Sequence, residues 1–212
     1  MDFAKYSFYD KLTDKEREFF LASLRTREFA AGQDVYRGDC AGLIFTRSGR
    51  LCAYTLSETG REISLYRLTE GDVCLFSASC ALVNADFAVF VRAETQTRVA
   101  LLPADAFKKL SESSLAFSTF VNALTMRRFS DVMWVLDSVL NKKFDARLAA
   151  LLLEERKYAG ADRLKVTHER LAAHLGTVRE AVSRMLKYFE GEGMIRIFRG
   201  GIDIADVKAL EE

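Results

Sequence analysis

The stretch Val166-Thr167-His168-Glu169-Arg170-Leu171-Ala172-Ala173-His174-Leu175-Gly176-Thr177-Val178-Arg179-Glu180-Ala181-Val182-Ser183-Arg184-Met185-Leu186-Lys187 decides the reading of this chain. Val166 closes a short extended run, and Thr167 suits the N-cap of a helix reaching about His174, with Leu171 and Leu175 facing a core. Ala172 is small enough for two helices to cross closely, and Gly176 follows at the turn. Thr177 then opens a second helix, and Glu180 three residues later completes the pattern of a capping box. A small residue, a glycine four positions on and a second capped helix are the parts of a helix-turn-helix.

At about 100° per residue the second helix sorts its side chains into two faces. Val178, Val182, Met185, Leu186 and Phe189 gather on the side expected to be buried. Glu180, Ser183, Arg184 and Lys187 point the other way, with Arg179 at the border. Each type has a use in a major groove: arginine bonds guanine O6 and N7 together, glutamate accepts from cytosine N4, serine adapts, and lysine suits phosphate. Taken alone, this face could equally be solvated polar surface. The following segment decides between the two. Met194-Ile195-Arg196-Ile197-Phe198, Arg199-Gly200-Gly201 and Ile202-Asp203-Ile204 read as a two-stranded hairpin with a basic tip. The unit is then a winged helix-turn-helix that binds double-stranded DNA, with Arg199 and Arg196 near a phosphate.

Charge agrees with that placement. The chain of 212 residues has 31 Lys and Arg against 30 Asp and Glu, which excludes a wholly basic coat or a polyanionic tail. Within Arg163 to Arg199, however, eight basic residues face four acidic ones, the footprint of a DNA-contacting module at one end of a neutral chain. No run approaches the eighteen or so apolar residues that span a bilayer. Met1-Asp2-Phe3-Ala4-Lys5 lacks the layout of an export signal, so the expected location is the cytoplasm, without membrane association. The four cysteines (Cys40, Cys52, Cys74, Cys80) are then expected to be reduced.

Upstream, residues 7–24 read as one or two short helices. From Arg27 to Leu102, β-branched and aromatic runs recur between glycine turns such as Ser48-Gly49-Arg50, Glu58-Thr59-Gly60 and Glu70-Gly71-Asp72. That spacing predicts an antiparallel barrel or jelly roll. Pro103 closes the strand region and opens a helical one. In the long helix that follows, Phe117, Val121, Leu124, Arg128, Val132, Val135 and Val139 recur at steps of three and four. Such a stripe can pack on the barrel or against a second copy of the chain. The fold class is therefore α+β: an N-terminal β-roll, a long helix and a C-terminal winged helix-turn-helix. The expected boundaries are 1–110 for sensing, 111–140 for dimerisation and 141–212 for DNA binding.

This order of parts resembles the cAMP receptor protein/FNR (Crp/Fnr) superfamily of bacterial transcription regulators. The resemblance is strongest in Val166 to Glu169, Leu171-Ala172, Leu175-Gly176 and Arg179 to Leu186, and the barrel turns add to it. It implies a cyclic-nucleotide-binding-like roll and a homodimer on a palindromic operator, with RNA polymerase as a further candidate partner. It also implies that Glu180 and Arg184 read the G–A step of each half-site. Arg179 resembles the additional base-reading arginine of the cAMP receptor branch, and Ser183 the serine of the FNR branch. Thr167, His168, Thr177, Lys187 and Arg199 complete the implied DNA-binding set, and Phe117, Val121, Leu124, Arg128, Val132 and Val135 the implied dimer interface. Recognition helices related by two-fold symmetry would lie one DNA turn apart, about 34 Å.

The departures are as informative. Phe87 stands where the family's cyclic-nucleotide binders carry an arginine for the phosphate, and Leu75-Phe76 where they carry Gly-Glu. A buried phosphate without a charge partner costs several kcal/mol, so cAMP and cGMP are disfavoured. An iron–sulfur cluster of the N-terminal kind is disfavoured because no cysteine precedes Cys40. Sensor haem held by histidine is disfavoured because His168 and His174 both lie in the DNA-binding unit. The effector stays unknown. Its expected pocket is Cys74, Phe76, Cys80, Phe87 and Phe90, where Cys74 and Cys80 are either a redox or ligand pair or ordinary buried thiols. The rival reading is a cupin-like small-molecule or metal-binding protein whose winged helix binds protein. A cupin site needs clustered histidines, and residues 1–167 have none. No metal site and no catalytic constellation is expected, so the chain reads as a regulator and not an enzyme.

Overall fold

Glycine turns and β-branched runs make short antiparallel strands up to Pro103 in the computed structural model, which describes residues 3–36, 41–58, 60–75 and 89–211. A single 3-10 turn, Tyr9–Lys11, leads into α1 (Asp14–Ser23). That helix starts at Thr13, whose hydroxyl accepts from the Glu16 N–H while the Glu16 carboxylate accepts from the Thr13 N–H. Strands β1 (Arg25–Phe29), β2 (Asp34–Tyr36), β3 (Leu43–Ser48), β4 (Leu51–Leu56), β5 (Glu62–Leu68), β6 (Val73–Cys74), β7 (Val89–Ala93) and β8 (Thr97–Leu102) follow. They form two four-stranded sheets, ordered β1-β8-β3-β6 and β2-β7-β4-β5. Gly49 turns the chain from β3 to β4 at φ +83°, and a side chain there would collide with the Gln96 carbonyl and Thr97.

Two apolar clusters hold this part. One lies inside the roll and includes Ile44, Leu51, Leu68, Val91 and Cys74. The other is rich in aromatic rings and joins the N-terminal segment, β3, α2 (Ala104–Ser113) and α3 (Leu115–Asn141). In it Phe8 meets Phe20 and Phe117 edge to face, at 5.4 and 5.1 Å between centroids.

Beyond α3 the elements are α4 (Phe144–Ala159), β9 (Arg163–Leu164), α5 (His168–Leu175), α6 (Arg179–Gly191), β10 (Ile195–Phe198), β11 (Gly201–Ile204) and α7 (Val207–Glu211). A third cluster, including Leu148, Leu152, Leu171, Val182, Leu186, Phe189, Ile195 and Ile202, binds them together. The chain divides into two compact units, Met1–Thr55 with Leu65–Trp134, and Leu56–Ser64 with Val135–Glu212. Among the described residues no helix is long and apolar enough to cross a membrane.

Candidate nucleic-acid interface

The paired helices are built by short-range chemistry. Thr167 caps α5 by accepting from the Arg170 N–H at 3.2 Å. Gly176 ends α5 in the left-handed conformation, φ +63°, and the Thr177 N–H returns to the Ala172 carbonyl at 3.0 Å. Arg147 of α4 donates to the Leu175 carbonyl at 2.6 Å, placing a cation at the negative end of α5. Burial lowers the Arg147 pKa.

One expectation needs correction here. Because the Thr177 N–H is taken up in closing α5, α6 begins one residue later than its sequence pattern suggests. Val178 is the N-cap, extended at φ −94°, and no side chain caps the helix, so the Thr177–Glu180 capping box does not form. Val178 is 45% exposed and does not belong to the buried face. The rest of that face holds: Val182, Leu186 and Phe189 are buried, and Met185 packs against them.

Opposite the core, Arg179, Glu180, Arg184 and Lys187 are exposed along α6. Ser183 is half-buried, with its hydroxyl 2.8 Å from His168 Nδ1. Burial, and secondarily the Arg179 charge, hold His168 below the ordinary histidine range. A neutral imidazole therefore ties the start of α5 to the middle of α6. That bond spans fifteen residues and left no periodic or local signal in the sequence. Thr167 is exposed at the start of α5, and Thr177 is half-buried in the turn. His174 accepts from or donates to Ser64, Nδ1 to Oγ 2.6 Å, within the second unit.

The hairpin predicted after α6 is present, with Ile195 opposite Ile204 and Phe198 opposite Gly201. β9 adds a third strand by pairing with β11. Glu190 of α6 accepts from the Ile197 N–H at 2.7 Å and fixes the wing to the recognition helix. Arg196 and Arg199 are exposed, the latter at the tip beside Gly200.

The expected effector pocket is only partly visible. Cys74 is fully buried opposite Ile44 in the roll core, beside Tyr66, whose hydroxyl is raised well above its ordinary range chiefly by burial. Phe90 stacks on Tyr54 at 5.5 Å. Phe76, Cys80 and Phe87 lie outside the described residues.

The long helix carries two apolar stripes. Phe117, Leu124 and Arg128, named for the dimer interface, are buried inside their own chain, and Val121 packs on the same cluster. Arg128 lies over the Tyr66 ring at 4.6 Å and pairs with Asp131 at 2.7 Å. Val132 and Val135 are half-buried. The stripe read from the sequence is thus largely the one that faces the roll. On the other side Met126, Phe129, Met133, Leu136 and Leu140 are exposed, at 62%, 60%, 43%, 47% and 71%. They repeat at steps of three, four, three and four, the spacing of a coiled-coil seam.

Residues 146–212 match the family of the Crp-like helix-turn-helix domain, and residues 26–114 match the cyclic nucleotide-binding domain. The chain is similar to a solved protein from Eubacterium rectale, described as a transcriptional regulator of the crp/fnr family. The two are 40% identical with a TM-score of 0.95, over 98% of this chain and 97% of that one. It is 26% identical to a protein of Thermus thermophilus named cyclic AMP receptor protein, across 95% of this chain and 93% of the relative. The c-di-GMP-responsive global regulator CLP of Xanthomonas campestris shares the fold alone, at 21% identity and a TM-score of 0.76, over 91% and 99% of the two chains.

Proposed function

The chain belongs to the Crp/Fnr family of transcription regulators, and from that premise we propose that it works as a homodimer on a palindromic operator. The observation that carries this reading is the division of α6: Val182, Leu186 and Phe189 in the core, Arg179, Glu180, Arg184 and Lys187 outside. Glu180 and Arg184 read bases, Arg179 and Lys187 flank them, and Thr167 and Arg199 hold phosphates. Ser183 serves chiefly to fix α6 through His168. Residues 1–110 sense, 111–140 dimerise and 141–212 bind DNA, and RNA polymerase is the partner an activator of this type would recruit.

The second copy docks along Met126, Phe129, Met133, Leu136 and Leu140, an apolar seam with no use in the chain's own core. Two-fold symmetry then presents two copies of α6 to successive major grooves. The signal reaches the roll and is not a cyclic nucleotide. Leu75 fills, with a buried branched side chain, the place where the family's binders carry the glycine of their Gly-Glu pair.

One set of measurements tests the reading. Fluorescence anisotropy on operators enriched from random sequence should show half-sites one turn apart and an affinity that falls steeply with salt. Sedimentation of Phe129→Glu/Met133→Glu should show a monomer that binds the palindrome no better than a half-site. Equal affinity for every palindrome and for random DNA would overturn it. cAMP and cGMP should leave both affinity and melting temperature unchanged.

A further inference from the structure

The three-stranded sheet of the wing, ordered β10-β11-β9, has two unlike faces. Ile195, Ile202, Ile204 and Leu164 are buried on one of them. Pairing of Arg196 with Asp203, and of Asp203 with Arg163, puts these three side chains on the other. Phe198 and its partner Gly201 share that outer face. Gly201 leaves it open at the centre, and a side chain there would collide with the Phe198 ring and the Leu164 carbonyl. The ring of Phe198 therefore lies across the glycine, which is buried beneath it.

Arg163 closes the arrangement from the far strand. Its guanidinium lies over the Phe198 ring, 4.4 Å from the centroid, and its Nε stands 3.5 Å from Asp203 Oδ1. One side chain thus joins the two outer strands of the sheet across the middle one. The contact falls on the last pair before the tip, since only Arg199 and Gly200 separate Phe198 from Gly201. The free edge of β10 is fastened too, by Glu190 of α6 through the Ile197 N–H. Because β9 leads on to Thr167, the cap of α5, the tip is tied to the starts and ends of both helices that face DNA.

The tip itself is a permissive turn. Gly200 has φ +91°, and Arg199 beside it is exposed. A long charged side chain on such a turn loses conformational freedom when it meets a phosphate, and backbone held in place beforehand lowers that cost. We infer that Arg163 and Phe198 are positioning residues for DNA binding: they clamp the last pair of the wing across Gly201 and hold Arg199 where it meets the phosphate. The effect on DNA rests on the DNA-binding reading; the clamp itself does not.

The test uses the full-length protein, first without DNA. The Gly201 α-proton resonances should be displaced upfield by the ring in the parent and return to ordinary positions in Phe198→Leu. Backbone order at Arg199 and Gly200, from heteronuclear relaxation, should fall in Phe198→Leu and in Arg163→Gln. Phe198→Leu changes no charge, yet it should weaken operator and random DNA alike, about three- to tenfold at about 0.1 M salt, and lower the slope of log affinity against log salt by about 1. Phe198→Tyr keeps the ring and should keep the parent's slope. On an Arg199→Ala background neither Phe198→Leu nor Arg163→Gln should weaken binding further. Urea unfolding identifies any variant that fails to fold. Ordinary Gly201 shifts in the parent, a parental salt slope in folded Phe198→Leu, or losses that add to that of Arg199→Ala would each overturn the inference. If the parent binds no DNA while the Gly201 shifts and the order of the tip respond as stated, the DNA reading fails and the clamp stands.

Discussion

The winged unit and the β-roll wear their chemistry on opposite surfaces. In the winged unit the core is Val182, Leu186, Phe189 and their neighbours, and the groups proposed to meet DNA are what remains outside on α6. In the roll, Cys74 of the expected effector pocket is itself buried among the residues that hold the fold. A surface site can be altered without touching stability; an interior site cannot. The comparison therefore predicts that changes on the outer face of α6 alter DNA binding alone, whereas core changes alter stability and carry DNA binding with them only where the same helix does both.

The largest effects come from the cores. Phe45→Ala removes a buried ring that meets Phe3, Tyr6 and Phe20, and should cost about 3–5 kcal/mol in urea unfolding. The preference for operator over random DNA should survive at concentrations where the variant is folded. Leu186→Ala should cost about 2–5 kcal/mol and take that preference with it, because the same helix carries both tasks. If both variants lose preference alike, the two units are not separable in this sense.

Next is Arg184→Ala, expected to lose about 1–3 kcal/mol on the operator and almost nothing on random DNA, measured by anisotropy at fixed salt. Equal losses on both would contradict base reading. Arg199→Ala should do the reverse, weakening all sequences alike and lowering the slope of log affinity against log salt by about 1. Smallest is the pH effect of His168. Its pKa is lowered in the folded chain, so on acidification the unfolded chain takes up the proton first. The contribution to stability is complete above the ordinary histidine value of about 6.5 and is lost as pH falls below it. His168→Gln should flatten that part of the stability profile between pH 7 and 5.

How much was legible in advance follows the same division. Helix periodicity, the Thr167 cap, the turn glycine and the hairpin are local signals, and they located the helix-turn-helix and its outward residues. The differences there are also local: the pattern has Thr177 open α6, but its N–H closes α5, so the helix starts at Arg179 and Val178 is exposed. Periodicity marks an apolar stripe on α3, but alone it does not say which of two apolar faces turns inward. Phe117 and Leu124 were drawn in by rings that arrive from Phe8 and Phe107, over ten residues away or across a helix break. The cavity at Tyr6 had no signal of any kind, since its walls meet from three stretches of chain that lie far apart in the sequence: Tyr6 and Ser7, Gly71 to Val73, and Phe120 to Arg128.

The two stripes of α3 share a property with mechanical meaning. Phe117 and Leu124 inside, like Met126, Met133 and Leu140 outside, recur every seven residues, whereas a straight α-helix drifts about 20° per heptad from such a repeat. A rod required to keep both lines aligned must wind gently to the left along its length. Two such rods laid against each other along their outer lines would stay in register over the whole length of the seam.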